Sequence, residues 1–248
     1  MKREARFDRL TTVLVATCVG INHRTAPVEE REKVAFSAEE LPAALTRLND
    51  ELGAAVVLST CNRTELYTTT NGDVAGMERL VEALAACKST RLELRRTYFL
   101  AHDEAVRHLF RVAAGIDSLV LGESQILGQV RDAMSAATQA GTLNGVLSRL
   151  FHCALRVGKR ARSQTNIGRY AVSVSSAAVA LASKTVGPLE EKTVLVISAG
   201  STGKLAARSL AESGAARILV TNRTPERAAA AASSFGWRPT SRTRRGTS

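Results

Sequence analysis

Apolar positions recur along this chain with two periods, and the switch between them sets out the fold. Residues 13–19 and 54–59 are short, nearly unbroken apolar runs that predict buried strands, and residues 65–70 and 94–100 predict two more. Between the first two, Leu41, Leu45, Leu48 and Leu52 mark one face of a helix that Gly53 stops. Ser37 with Glu40 supplies a capping box at its start. Met77, Leu80, Val81 and Leu84 mark a second helix face. The order β-α-β-β-α-β suits a split βαβ sheet of the ferredoxin-like type.

From His102 to about Val186 the pattern turns helical. Leu109 and Val112, then Ile126, Val130 and Met134, then Leu147, Leu150 and Val157 recur at helical spacing, with Gly141 and Gly168 as punctuation. Residues 172–182, rich in Ser and Ala, predict a helix able to pack closely on a neighbour, and Gly187-Pro188 marks a boundary. Residues 193–197 then read as a strand running into Ser198-Ala199-Gly200-Ser201-Thr202-Gly203. A helix with Leu205 and Leu210 follows, then a strand at 218–221 and a helix opened by Thr224 and Pro225. That is the beginning of a dinucleotide-binding unit. Residues 236–248 are Arg-rich, without period, and predicted to be disordered. The expected class is α/β: an α+β N-terminal domain of ferredoxin-like type with added helices, then a partial Rossmann-like domain.

Composition changes this picture in two respects. The 248 residues, 45% of them apolar, suffice for more than one core. No run is long enough to span a bilayer, and the start lacks the pattern of a secretory signal, so a soluble protein without membrane contact is expected. The net charge of +11 points to a polyanionic partner, nucleic acid above all, although Arg238, Arg242, Arg244 and Arg245 in the final segment supply four of those charges. The four cysteines (Cys18, Cys61, Cys87, Cys153) show no pairing or C-x-x-C spacing, which argues for a reducing compartment and against a metal site.

Candidate chemistry concentrates in two places. In Leu58-Ser59-Thr60-Cys61-Asn62-Arg63 an apolar strand ends at a thiol with a cation two residues on. Such a thiol can attack an activated carbonyl, with Arg63 stabilising the thiolate or holding a carboxylate; composition alone favours a buried structural thiol instead. In the second place, a strand–turn–helix carries the glycine loop, with Ser198 where the first glycine of G-x-G-x-x-G belongs. A left-handed backbone at Ser198 costs on the order of 1 kcal/mol. Ser198, Ala199, Gly200, Ser201, Thr202 and Gly203 are the candidate pyrophosphate cradle. Arg223 stands near where NAD enzymes place an acid for the ribose; it suits a 2′-phosphate and favours NADP, a solvated arginine being the alternative. A Walker-type phosphate loop is excluded by its spacing and by Leu205.

Longer blocks carry a resemblance. Residues 20–27 (GINHRTAP) with Arg31-Glu32-Lys33, residues 59–63 (STCNR), residues 115–130 (GIDSLVLGESQILGQV) and the helix around 159–176 resemble the glutamyl-tRNA reductase family over about residues 13–235. The resemblance implies that Cys61 is the nucleophile that takes the glutamyl group from glutamyl-tRNA. NADP(H) then reduces the thioester to glutamate-1-semialdehyde, the first step of five-carbon tetrapyrrole synthesis. It implies substrate contacts at Thr60, Asn62, Arg63, Ser118, Glu123, Ser124, Gln125 and Gln129, with Arg63 toward the glutamate carboxylate. His108 matches a histidine important for activity, a half-buried helix position being its bland alternative.

The division expected is a catalytic, glutamyl-tRNA-binding domain at 1–160, a helical linker at 161–188, a partial NADP-binding domain at 189–235 and a basic tail. Arg149, Arg156, Lys159, Arg160 and Arg162 form a cationic helix facing either the tRNA backbone or solvent. Family members are homodimers through a later domain absent here, which predicts a truncated or frame-shifted chain impaired in reduction. The resemblance further implies contact with the downstream aminomutase and a cytoplasmic setting, with the plastid stroma as alternative. Competing functions are a tRNA-binding remnant without turnover and a general NADP-dependent aldehyde oxidoreductase.

Overall fold

The computed structural model describes residues 14–72, 76–123, 125–168 and 174–234. Ser124 and residues 235–248 lie outside the described residues, and only the backbone of Ser201 is described. The chain divides into two compact units, Met1–Ala171 and Val172–Ser248.

The first unit is built on β1 (Val15–Asn22), β2 (Val56–Ser59), β3 (Arg63–Thr70) and β4 (Tyr98–Ala101). They form one antiparallel sheet in the order β2-β3-β1-β4, the arrangement of a split βαβ sheet. The helices are α1 (Val28–Lys33), α2 (Leu41–Leu52), α3 (Met77–Ala86), α4 (His102–Ala114), α5 (Gln125–Gln139) and α6 (Gly145–Gln164). Both sheet faces are covered. Val19, Val57 and Leu66 pack with Leu45 and Leu48 of α2 and Leu80, Val81 and Leu84 of α3. Cys18, Val56, Leu58 and Tyr67 face Leu109, Val130 and Phe151 of α4, α5 and α6. Strands buried on both faces need no polar alternation, which is why their sequences read as unbroken apolar runs.

Three boundaries differ from the sequence reading. β1 runs on to Asn22 and β3 begins at Arg63, because Gly20, Ile21 and Asn22 pair with Glu65, Thr64 and Arg63. Residues Leu94–Arg96 form a 3-10 turn rather than a strand, closed by Arg96 N–H on the Glu93 carbonyl at 2.9 Å and Thr97 N–H on the Leu94 carbonyl at 3.0 Å. The helical stretch after His102 is interrupted by a loop at 115–123, where Gly115 (φ +78°) closes α4 and Gly122 (φ +77°) returns its N–H to the Gly115 carbonyl at 2.9 Å. The capping box forms: Ser37 N–H donates to Glu40 at 2.9 Å and Glu40 N–H to the Ser37 hydroxyl at 3.3 Å.

The second unit contains α7 (Val174–Val186), β5 (Thr193–Ile197), α8 (Ser201–Glu212), β6 (Arg217–Thr221) and α9 (Pro225–Ser234). β5 and β6 pair in parallel, as a β-α-β crossover requires. Val179, Ala207, Leu210, Ile218, Val220 and Ala231 form its small core. Leu195 and Ile197, on the other face of β5, are exposed. Among the described residues, no helix is long and apolar enough to cross a membrane.

Candidate active site

β2 and β3 join in a tight hairpin that puts Cys61 and Asn62 at its tip. Thr60 N–H donates to the Arg63 carbonyl at 2.8 Å, and the Thr60 hydroxyl accepts from the N–H groups of Asn62 (3.1 Å) and Arg63 (3.2 Å). Thr60 is therefore a local clamp that fixes the turn carrying the thiol. Cys61 is free and exposed, whereas Cys18 is the buried thiol of the sheet. Composition alone had favoured the buried role for Cys61, and its place on the hairpin tip overrides that preference.

A cleft at the tip is lined by Thr60, Cys61, Asn62, Arg63, Ser118, Glu123, Ile126 and Gln129. The loop at 115–123 supplies its far wall. That loop is held close to the chain after α6: a Cβ on Gly122 would stand 2.0 Å from the Ile167 carbonyl oxygen, and Arg162 donates to the Glu123 carbonyl. The Ser118 hydroxyl and the Arg63 Nε are buried without a partner, which leaves two donors available on the cleft residues. Partial burial pushes the Cys61 thiol up from its ordinary value, and Glu123 adds to the rise. Glu123 is itself raised by burial, with Arg162 acting against the shift. Burial and Glu123 both favour the neutral thiol over the thiolate.

Behind the cleft lies a network that the sequence reading missed. Glu65, fully buried on β3, accepts from Arg63 Nη1 (2.6 Å), Tyr67 (2.6 Å), Tyr98 (2.5 Å) and His108 Nε2 (2.9 Å). Burial alone would raise its pKa, but Arg63 and His108 hold it far below the usual carboxylate range. An ionised carboxylate only accepts, so Nε2 of His108 carries a hydrogen. His108 Nδ1 lies 3.4 Å from Asp117 Oδ2, and the Asp117 carbonyl accepts from Arg63 while its Oδ1 meets Arg24 at 3.0 Å. Gly20 faces Glu65 across the β1–β3 pair, and a Cβ there would stand 2.9 Å from Glu65 Cγ. The signal was present: one acid and one tyrosine, two residues apart, in a strand buried on both faces.

The sequence-predicted residues therefore fall into three groups. Thr60, Cys61, Asn62, Arg63, Ser118, Glu123 and Gln129 meet at the cleft. His108 stands behind it, linked through Glu65 and Arg63. Gln125 opens α5 without lining the cleft, and Ser124 lies outside the described residues. The ligand atoms of Cys18, Glu65 and His108 lie within 4.8 Å of one another. Four hydrogen bonds already occupy the Glu65 oxygens, so the cluster is organised around donors rather than as an open ligand set.

In the second unit the glycine loop joins β5 to α8. Gly200 precedes the first turn of α8, where no side chain caps the helix and the leading N–H groups are directed at the loop. A Cβ on Gly203 would stand 2.3 Å from the Ser198 carbonyl oxygen, so the helix can approach the strand this closely only as glycine. Ser198 has φ +146°, a region that glycine occupies without cost, and its hydroxyl accepts from Gly200 N–H at 3.2 Å. Ala199 N–H donates to Asn222 at 3.4 Å, and Thr202 and Arg223 are exposed. The bare helix start and close backbone approach fit a dinucleotide pyrophosphate.

Comparison with known proteins agrees with both units. Residues 19–165 match the family model described as glutamyl-tRNAGlu reductase, N-terminal domain, and residues 180–243 match that of shikimate / quinate 5-dehydrogenase. Glutamyl-tRNA reductase of Pelotomaculum thermopropionicum is 46% identical over 221 residues, covering 88% of this chain and 50% of that protein. The enzyme of Stenotrophomonas maltophilia is 49% identical over 220 residues, with 88% and 50% covered. The solved glutamyl-tRNA reductase from Methanopyrus kandleri aligns with a TM-score of 0.60 and 40% identity, covering 91% of this chain and 53% of that one. The chain thus spans about half the length of the relatives it matches. With its first unit matched along almost the whole ferredoxin-like sheet and the loop that walls the Cys61 cleft, the chain belongs to the glutamyl-tRNA reductase family.

Proposed function

We propose that this chain takes the glutamyl group from glutamyl-tRNA onto Cys61, as the first half of the reduction to glutamate-1-semialdehyde that opens tetrapyrrole synthesis. The observation that carries the proposal is the exposed thiol on a clamped hairpin tip, in a cleft whose residues include two unpartnered donors. The Cys61 sulfur, once deprotonated, attacks the ester carbonyl carbon. The carbon–oxygen bond to the terminal ribose breaks, the RNA leaves with a proton on its hydroxyl, and a thioester remains. A thioester accepts hydride more readily than an ester because sulfur donates less into the carbonyl.

Arg63, kept cationic by Glu65 against the effect of its own burial, offers its free Nε to the substrate carboxylate. Ser118, Asn62 and Gln129 supply neutral hydrogen bonds from the cleft wall, Glu123 faces the substrate ammonium, and Ser124 and Gln125 join this set through the family resemblance alone. His108 acts through its link to Glu65 and Arg63. The loop Ser198–Gly203 holds the pyrophosphate of a nicotinamide dinucleotide, and Arg223 favours NADP(H). When bound, that cofactor supplies the hydride for the second half-reaction. Four free cysteines suit a reducing cytoplasm. A reactive amino-aldehyde product suits direct transfer to the aminomutase that consumes it.

The test mixes the chain with glutamyl-labelled tRNA and measures label retained on denatured protein. Label is expected on the parent and absent from Cys61→Ser. Equal label on both, or none on the parent, overturns the proposal.

A further inference from the structure

We infer that the outer face of α6 receives the sugar–phosphate backbone of the RNA, with the C-terminal end of the helix nearest the cleft; this rests on the function proposed above.

Three observations converge. The first is charge: the twenty residues of α6 contain Arg149, Arg156, Lys159, Arg160 and Arg162 and no acid. The second is pairing. Elsewhere on this unit several cations stand against acids: Arg79 on Glu51, Arg95 and Arg96 on Glu93, Arg107 on Asp103 and Arg131 on Asp132. The exposed Arg47, Arg91 and Arg111, which make no ion pair among the described residues, stand singly on separate segments. Among the described residues, no carboxylate lies within ion-pair distance of Arg149, Arg156, Lys159 or Arg160, all four of them exposed. A solvated surface is normally of mixed sign, so an unbroken single-sign stripe marks a polyanion site.

The third observation is direction. Leu147, Leu150, Phe151, Ala154 and Gly158 are the buried side of α6. At its start Asn144 donates to Thr69, near the far end of β3, at 3.0 Å. Phe151 then meets Tyr67 edge to face at 5.3 Å. At its end Arg162 reaches the carbonyl of Glu123, a wall of the Cys61 cleft. The helix therefore climbs alongside β3 toward the hairpin tip. From Arg149 to Arg160 it rises about 16 Å, the length of roughly five phosphates on a stacked strand. An RNA whose 3′ end carries the glutamyl ester to Cys61 lies with its last phosphates on Lys159 and Arg160 and earlier ones on Arg156 and Arg149.

The experiment compares the parent chain with Arg149→Ala/Arg156→Ala, exposed positions outside the cleft, and with Arg79→Ala/Arg131→Ala as a control of equal charge. Binding of uncharged glutamate-specific tRNA is measured against salt, and Cys61 acylation is measured with a glutamyl ester of a CCA trinucleotide. The α6 variant is expected to bind tRNA more weakly, with its log–log salt slope reduced by about 1.4 for two lost phosphate contacts. It is expected to react with the trinucleotide ester at the parental rate, and the control to match the parent in both assays. Parental affinity and slope in the α6 variant, or equal weakening in the control, overturns the inference. Failure of the parent to acylate Cys61 with either substrate counts against the enzymatic reading alone, because the binding assay does not need turnover.

Discussion

Nε2 of His108 lies 2.9 Å from Oε1 of Glu65, an oxygen wholly shielded from solvent. The same carboxylate holds Arg63, so one acid orients both the histidine of α4 and the cation of the cleft. Glu65 is thus a positioning residue whose partners come from three elements, β3, β4 and α4.

Replacing Glu65 by Gln removes one charge of a buried pair and leaves Arg63 uncompensated. The first unit is expected to lose about 3 kcal/mol of stability at pH 7. The folded-state pKa of Glu65 is depressed, so its contribution is present above the unfolded value near about 4.3 and fades as pH falls below it. Urea midpoints at pH 7 and pH 4 check this: the parent should lose more stability on acidification than the variant. Equal losses would refute it.

Cys61 is raised by burial and by Glu123, which makes its acylation dependent on pH. Below the thiol pKa the rate should climb about tenfold per pH unit, through neutrality and past pH 8.5. Glu123→Gln removes one cause of the rise and should shift the profile to lower pH. Stopped-flow acylation with a small glutamyl thioester reads both curves; a parental plateau below about pH 8.5 would contradict the shift.

Gly122→Ala meets two obstacles at once, a φ of +77° and a Cβ placed 2.0 Å from the Ile167 carbonyl oxygen. The loop holding Ser118 and Glu123 must move. A stability loss of about 2 kcal/mol or more is expected, with acylation falling further than stability explains. Gly128→Ala, in open space within α5, is the matched control and should be stabilised by about 0.5–1 kcal/mol.

In the second unit, Ser198→Gly relieves the positive φ and should stabilise that unit by about 1–3 kcal/mol. Gly203→Ala should do the reverse, since its Cβ meets the Ser198 carbonyl oxygen. Nucleotide binding followed by cofactor fluorescence should strengthen or hold in the first variant and fall in the second.

Much of this was legible in the sequence. The alternation of strand and helix patterns gave the order β-α-β-β-α-β, because apolar runs and i, i+4 leucines report burial directly. Residues 94–96 form a turn that periodicity does not report, because one apolar residue, Leu94, fits a strand and a single 3-10 turn equally well. Cys61 was recognisable from its place at a strand end, but its exposure depended on the Thr60 clamp, a three-dimensional fact. Glu65 stood out only as an acid in a buried strand, and its role as a hub was not legible, for a different reason. Its partners Tyr98 and His108 lie 33 and 43 residues away, and no local pattern encodes that meeting.

Those separations have a consequence for cooperativity. A charge removed from water before β4 and α4 have docked would find only Arg63 and Tyr67, its near neighbours in the chain. The charge is therefore fully matched only when all four donors are in place, and any form lacking β4 or α4 leaves it short of at least one of them. The acid that orients the site also makes the stability of the sheet depend on those distant segments.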